Sequence, residues 1–152
     1  MGNRYVVKRV NFTPANTTDD VLTIRSAASR RVRIVGIYVN GQGASSAPQG
    51  ITVSRVTTVG VTPGVAITPD KADHNDQPAA AFTTATTWAT QPVVNTNGIT
   101  LSFNALGGKD QWQAGPFTKG MLEARNGEEL SIRPTAGTTP QLTSLSVVCE
   151  ED

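Results

Sequence analysis

The chain has 152 residues, the size of one domain built around a single core. Charged side chains are only 16% of the total, against roughly one quarter in an average soluble domain, and 13 basic groups face 12 acidic ones for a formal charge of +1. That balance gives no electrostatic footprint for a phosphate backbone, so nucleic acid is excluded as an expected partner, and no apolar run reaches the 18 or so residues of a bilayer-spanning helix, so no membrane partner is expected either.

Apolar residues recur with period two along most of the chain, in segments rich in Val, Ile and Thr, which predicts strands. In RYVVKRVNF (residues 4–12), Tyr5 and Val7 share one face and Val6, Val10 and Phe12 the other, so this segment reads as a strand covered on both sides or as an extended N-terminal arm. The turn-rich PANTTDD precedes Val21–Arg25, where Leu22 and Ile24 alternate with Val21, Thr23 and Arg25. Residues 29–43 begin with clean alternation, Arg31-Val32-Arg33-Ile34, and then become apolar on both faces through Val35, Ile37, Tyr38 and Val39. A strand passing from an edge into a two-sided core reads this way. Asn40-Gly41 predicts a hairpin turn, since both residues tolerate positive φ.

In GITVSRVTTVG, Ile51 and Val53 lie on one face and Val56 on the other, a change of phase that predicts a bulge. Residues 60–81, punctuated by Pro63, Gly64, Pro69 and Pro78, read as a long irregular excursion; loops of that length are usually functional or interfacial. A Thr-rich strand is predicted in AAFTTATTWAT, and GITLSFNAL sets Ile99, Leu101 and Phe103 against Thr100, Ser102 and Asn104. DQWQA predicts a shorter strand, and in PFTKGMLEAR the mixed periodicity leaves Met121 and Leu122 as loop anchors or part of a brief helical turn. Asn126-Gly127 predicts a turn into EELSIRP, where Leu130 and Ile132 point inward, and the last segment aligns Leu145, Val147 and Cys149. About eight short strands with Gly, Pro and Asn turns and no sustained helical period predict an all-β chain: one antiparallel β-sandwich over residues 1–152, jelly-roll-like, with long loops.

The chemistry-bearing residues are few. PDKADHNDQP (residues 69–78) gathers Asp70, Asp73, His74 and Asp76, but it lacks the EF-hand spacing, and one His with a distant Cys falls short of a zinc set. Asp, Asn and Pro also shape turns through local hydrogen bonds, so a polar connection is the expected reading, with no metal and no cofactor. No G-x-S-x-G elbow surrounds any serine, and Cys149 lies in the apolar alternation of a strand. Glu123, Glu128 and Glu129 read as part of a turn rather than as the facing carboxylates of a glycosidase. An enzyme is therefore not expected. Cys149 has no internal disulfide partner, and MGNRYVVKR lacks the apolar core of a secretory signal, so synthesis in a cytoplasm is expected.

Three stretches, RRVRIVGIYVNGQGASSAPQGITVSRVTTVG, ITPDKADHNDQPAAAFTTATTW and FTKGMLEARNGEELSIRP, together cover most of the chain. In them the sequence resembles the small jelly-roll virion proteins of tailed bacteriophages, the accessory class that includes capsid decoration (cement) proteins. The resemblance implies a non-catalytic protein located in the virion, assembled as a homo-oligomer such as a trimer, with the major capsid protein as partner. It implies that the N-terminal segment and the 60–81 excursion grip the shell, with Arg4, Tyr5, Asp70, Lys71, Asp73 and His74 as expected interface residues, and Trp88, just beyond the excursion, as a further one. The competing expectation is a tail or fibre recognition module that stacks Trp88 or Trp112 on host-surface carbohydrate. A hydrolase would have to use His74, for which the sequence offers no partner base.

Overall fold

The structure is a computed structural model that describes residues 2–118 and 120–152, with the side chains of residues 96 and 97 left aside. Twelve strands are present among the described residues: β1 (Asn3–Phe12), β2 (Leu22–Arg25), β3 (Arg31–Gln42), β4 (Pro48–Thr58), β5 (Val61–Ala66), β6 (Asp70–Lys71), β7 (Thr83–Thr90), β8 (Val93–Asn104), β9 (Leu106–Gln113), β10 (Glu123–Arg125), β11 (Glu129–Pro134) and β12 (Thr143–Glu151). They form two antiparallel sheets. The first runs β10-β3-β12-β1-β6, with β9 on the same edge of β3 as β10; the second runs β5-β7-β2-β11-β4-β8. Without β5, β6, β7 and β10, what remains is β9-β3-β12-β1 over β2-β11-β4-β8. Among these eight strands, only the β4 to β8 connection stays within one sheet and every other connection crosses, which is the winding of a jelly roll. The strand expected in AAFTTATTWAT is β7, and β5, β6 and β10 lie in segments read from the sequence as irregular or as turn.

Alternation places the core between the sheets. From the first sheet, Tyr5, Val7, Ile34, Ile37, Val39, Leu145, Val147 and Cys149 are buried; from the second, Leu22, Ile24, Ile51, Val53, Leu101, Leu130 and Ile132 face them. Each such Leu or Ile contributes about 1.5–3 kcal/mol by leaving water.

Several expectations are corrected by local backbone events. The N-terminal segment is no arm: β1 lies inside the first sheet, between β12 and β6. Its register against β12 slips between Arg9 and Phe12, where Asn11 takes φ 51°, and the slip moves Phe12 onto the inner face while Val10 stays outside. In β3 the register slips opposite Val148/Cys149, so Val35 becomes an extra residue and both Ile34 and Ile37 point inward. The two-sided apolar run is therefore a bulge, with Tyr38 outside. Asn40 and Gly41 continue β3 instead of turning; a Cβ on Gly41 would lie 2.2 Å from the Asn104 carbonyl oxygen, so the glycine serves close backbone approach. The bulge expected in β4 is there, between Ser54 and Val56. The 60–81 excursion contains β5, which pairs with β7, and β6, which pairs with β1. Leu122 is a buried anchor, Met121 is exposed, and residues 116–118 and 120–122 are turns. Asn126 and Gly127 both take positive φ, 53° and 87°, and carry the chain from the first sheet to the second.

Candidate interaction surface

The polar segment 69–78 is a strap along the outer edge of β1. Asp73 Oδ2 accepts the Arg4 amide at 3.0 Å, and the buried Gln77 donates through Nε2 to the Arg4 carbonyl at 2.5 Å. Gln77 Oε1 accepts the Asp73 amide at 3.1 Å, and the Gln77 amide donates to the His74 carbonyl at 3.2 Å. Side chains thus continue the ladder that β6 leaves short, and the edge of the sheet is closed. The far end of the strap is fixed by Glu151, whose carboxylate accepts the Ala81 and Phe82 amides at 3.0 and 2.9 Å. Arg4, Asp70, Lys71, Asp73 and His74 are accordingly brought together on one exposed edge, where Lys8 lies 3.7 Å from Asp70 and Lys71 donates to the Asn75 carbonyl at 3.0 Å. Tyr5 is not among them. It is fully buried beneath the strap, donates its hydroxyl to the Pro78 carbonyl at 3.0 Å and meets Phe82 edge to face at 5.5 Å. Among the described residues, no group of three or more His, Cys, Asp or Glu is placed to hold a metal ion.

Trp88 lies elsewhere, over the outer face of the second sheet. There Thr23, Arg25, Glu129, Ser131 and Arg133 alternate with the inward Leu22, Ile24, Leu130 and Ile132. Asp20 accepts from Ser131 Oγ at 2.6 Å, Arg133 Nε at 2.5 Å and the Thr23 hydroxyl, which in turn accepts the Trp88 indole N–H at 2.9 Å. Arg25 pairs with the buried Glu129, donates to the Gly60 carbonyl at 2.9 Å and sits 5.2 Å from the Trp88 ring centroid. Glu129 Oε2 accepts the Gly60 amide at 3.0 Å, and a Cβ on Gly60 would come within 2.6 Å of the indole. Trp88 is the half-buried roof of this polar layer, its N–H and one face engaged, and it lies apart from the strap that carries Arg4, Asp70, Lys71, Asp73 and His74. Trp112, on β9, is half-buried and packs against the core. Burial pushes the Asp20 carboxyl above the ordinary aspartate range, outweighing the opposing hydrogen bonds from Ser131, Thr23 and Arg133.

On the outer face of the first sheet a trough runs across four strands. Lys8, Ser146, Tyr38 and Gln111 stand in register on β1, β12, β3 and β9, and Ser144, Asn40 and Lys109 form the next row. The two serines on the central strand are short and their neighbours tall, which leaves a groove of about 540 Å³ with Val10, Val39 and Leu145 also in its lining. Tyr38 lies over Gly36, where an added Cβ would stand 3.1 Å from its ring, and its hydroxyl accepts from Gln113 Nε2 at 2.8 Å. Asn40 Oδ1 is buried with no hydrogen-bond partner among the described residues.

Beside this groove the chain leaves β9 and returns to β10 through a turn that sequence periodicity does not mark. The Gly115 amide donates to Thr118 Oγ1 at 2.8 Å, the Thr118 amide donates to the Gly115 carbonyl at 3.1 Å, and Ala114 N to Val35 O and Ile34 N to Leu122 O, at 3.0 and 2.9 Å, tie the base to β3. At its tip Phe117 is 99% exposed. The available signal was Gly-Pro-Phe, an aromatic set among turn formers and outside any alternation.

No protein-family model matches the chain, and no curated protein matches it.

Proposed function

We propose that this is a non-catalytic structural protein of a bacteriophage virion, a capsid decoration protein that docks on the outside of the shell and holds neighbouring capsid subunits together. The observation that carries this reading is the strap edge. Arg4, Asp70, Lys71, Asp73 and His74 are displayed on backbone already locked by buried Gln77 and Glu151, so that binding orders little new chain. The jelly-roll body and its low charge support the reading, as does the place of the titratable groups Asp20, Glu129 and Glu151, which act as internal ties rather than as a reactive pair. The mechanism is mass action: a ligand that recognises only the assembled shell stabilises that state, and several copies acting together multiply weak contacts. Purified wild-type chain should sediment with shells that lack it and raise their melting temperature, whereas the strap-edge variant Asp70→Lys/His74→Glu should sediment less. Failure of the wild type to bind shells would remove the proposal.

A second reading rests on Tyr38. An aromatic ring in a groove with Asn40, Gln111, Ser144 and Ser146 has the hydrogen-bonding composition of a sugar site, the recognition module of a tail or fibre. Glycan binding that is abolished by Tyr38→Ala would favour it over the shell.

A further inference from the structure

We infer that the chain associates with itself by seating Phe117 of one copy in the trough on the outer face of the first sheet of a second copy. The inference is independent of what the strap edge binds. Among the described residues Phe117 is the most exposed large apolar side chain; beside it Thr118 Oγ1 accepts the Gly115 amide at 2.8 Å, and Arg55 donates to the Gly120 and Met121 carbonyls at 3.3 and 3.4 Å. A second copy of the chain carries both an exposed ring and an open groove, so it is the occupant the molecule itself supplies.

The trough suits a phenyl ring in size and in chemistry. Its volume of about 540 Å³ lies within the range of sites that enclose small aromatic groups. Val10, 65% exposed on the outward phase of β1, and the ring of Tyr38 supply apolar wall, while the side chains of Val39 and Leu145 turn into the core and only line the trough from beneath. Tyr38, pinned by Gln113, offers a ring for an edge-to-face contact, and Lys8 and Lys109 flank the trough with ammonium groups that can sit over an aromatic face. Knob and groove are different parts of the chain, so the contact repeated head to tail closes a ring or extends as a filament, and exchanged reciprocally between two copies it makes an isologous two-fold dimer.

Sedimentation velocity on the full chain tests this with two variants. Phe117→Ser removes the knob from a side chain with no packing role, and Ser146→Arg fills the trough from its floor; a melting temperature equal to that of the wild type establishes that each is folded, and Ser144→Arg replaces Ser146→Arg if that one is not. The wild type should run at a multiple of 16.0 kDa, and each variant at that single mass. An equimolar mixture of the two variants should associate again, because one partner keeps the groove and the other keeps the ring. A single-copy wild type at its highest soluble concentration overturns the inference, as does assembly by either folded variant or failure of the mixture to reassociate. A single-copy wild type whose shell binding drops with Phe117→Ser, or whose trough binds a glycan, would identify the shell or a sugar as the occupant instead. Shell binding is read separately with the wild type, so each proposal can fail alone.

Discussion

Gln77 holds Arg4 by the main chain: its buried carboxamide donates to the Arg4 carbonyl at 2.5 Å while its other end accepts the Asp73 amide at 3.1 Å. One side chain thereby closes a sheet edge and sets the shape of the strap. Gln77→Ala leaves the Asp73 amide without that acceptor and opens a void at a position only 1% exposed, so it should cost about 1–3 kcal/mol in urea unfolding. Amide exchange at Ala72 and Asp73 should accelerate more than exchange in β12. Uniform acceleration across both sheets would mean that Gln77 supports the body rather than the strap.

Asp20 and Arg133 form an ion pair over the second sheet in which the carboxylate side chain is fully buried. Arg133→Met should cost about 3–5 kcal/mol at neutral pH, since it leaves a buried carboxylate without its counter-charge. The sign of the pH dependence follows from the raised Asp20 pKa, caused first by burial. Between its unfolded value of 3.8 and the higher folded value, the native state holds the proton and the unfolded chain does not. The contribution of Asp20 is thus fully present below the unfolded value and is lost as pH rises through the folded one. The stability difference between wild type and Asp20→Asn should therefore shrink, or turn against the wild type, as pH is raised across that window. A difference that grows with pH would reverse the assignment.

Cys149 is completely buried on the inner face of β12, and burial, with the Glu151 charge beside it, pushes its thiol above the ordinary range. The thiolate is the reactive form, so the native chain should ignore disulfide reagents at neutral pH and take up one equivalent only when unfolded. Labelling in native buffer should then follow the global unfolding rate. Rapid labelling of folded protein would show that the end of β12 opens locally.

Alternation was legible wherever one face of a strand is buried and the other is wet, as in Leu145, Val147 and Cys149 or Ile99, Leu101 and Phe103, and these segments alone nearly suffice for the sandwich. It failed where the backbone slips by one residue. The slips at Asn11 and Val35 invert the phase partway along β1 and β3, and a single sequence shows this only as apolar residues on both faces. β5 was unreadable because it is exposed along its whole length and has no inner face to pattern. In the interaction surface, Arg4, Asp70, Lys71, Asp73 and His74 do cluster. Gln77, the residue that organises them, gave no signal because a buried glutamine looks like a solvated one in sequence. Phe117 was passed over for the converse reason: an isolated apolar residue reads as core by default.

The clearest case of context deciding a residue is Gly41. The chain passes from the second sheet to the first through Ala105, whose amide donates to the Ala47 carbonyl at 2.8 Å and whose carbonyl accepts the Gly43 amide at 2.8 Å. β3 runs directly beneath this corner, and a methyl group on Gly41 would lie 2.2 Å from the Asn104 carbonyl oxygen and 2.7 Å from that of Ala105. Both obstacles are backbone, so no rotamer change relieves them. Gly107, one turn further, has φ +73° and open space around it, so alanine there meets conformational strain alone. At Gly120 nothing lies within 4 Å. Gly41→Ala should therefore lower stability by about 1–3 kcal/mol or more, Gly107→Ala by roughly 1 kcal/mol, and Gly120→Ala by almost nothing, in that order of melting temperature. Equal losses at Gly41 and Gly107 would mean that the corner yields to an added methyl and that Gly41 is retained for conformation rather than for close approach.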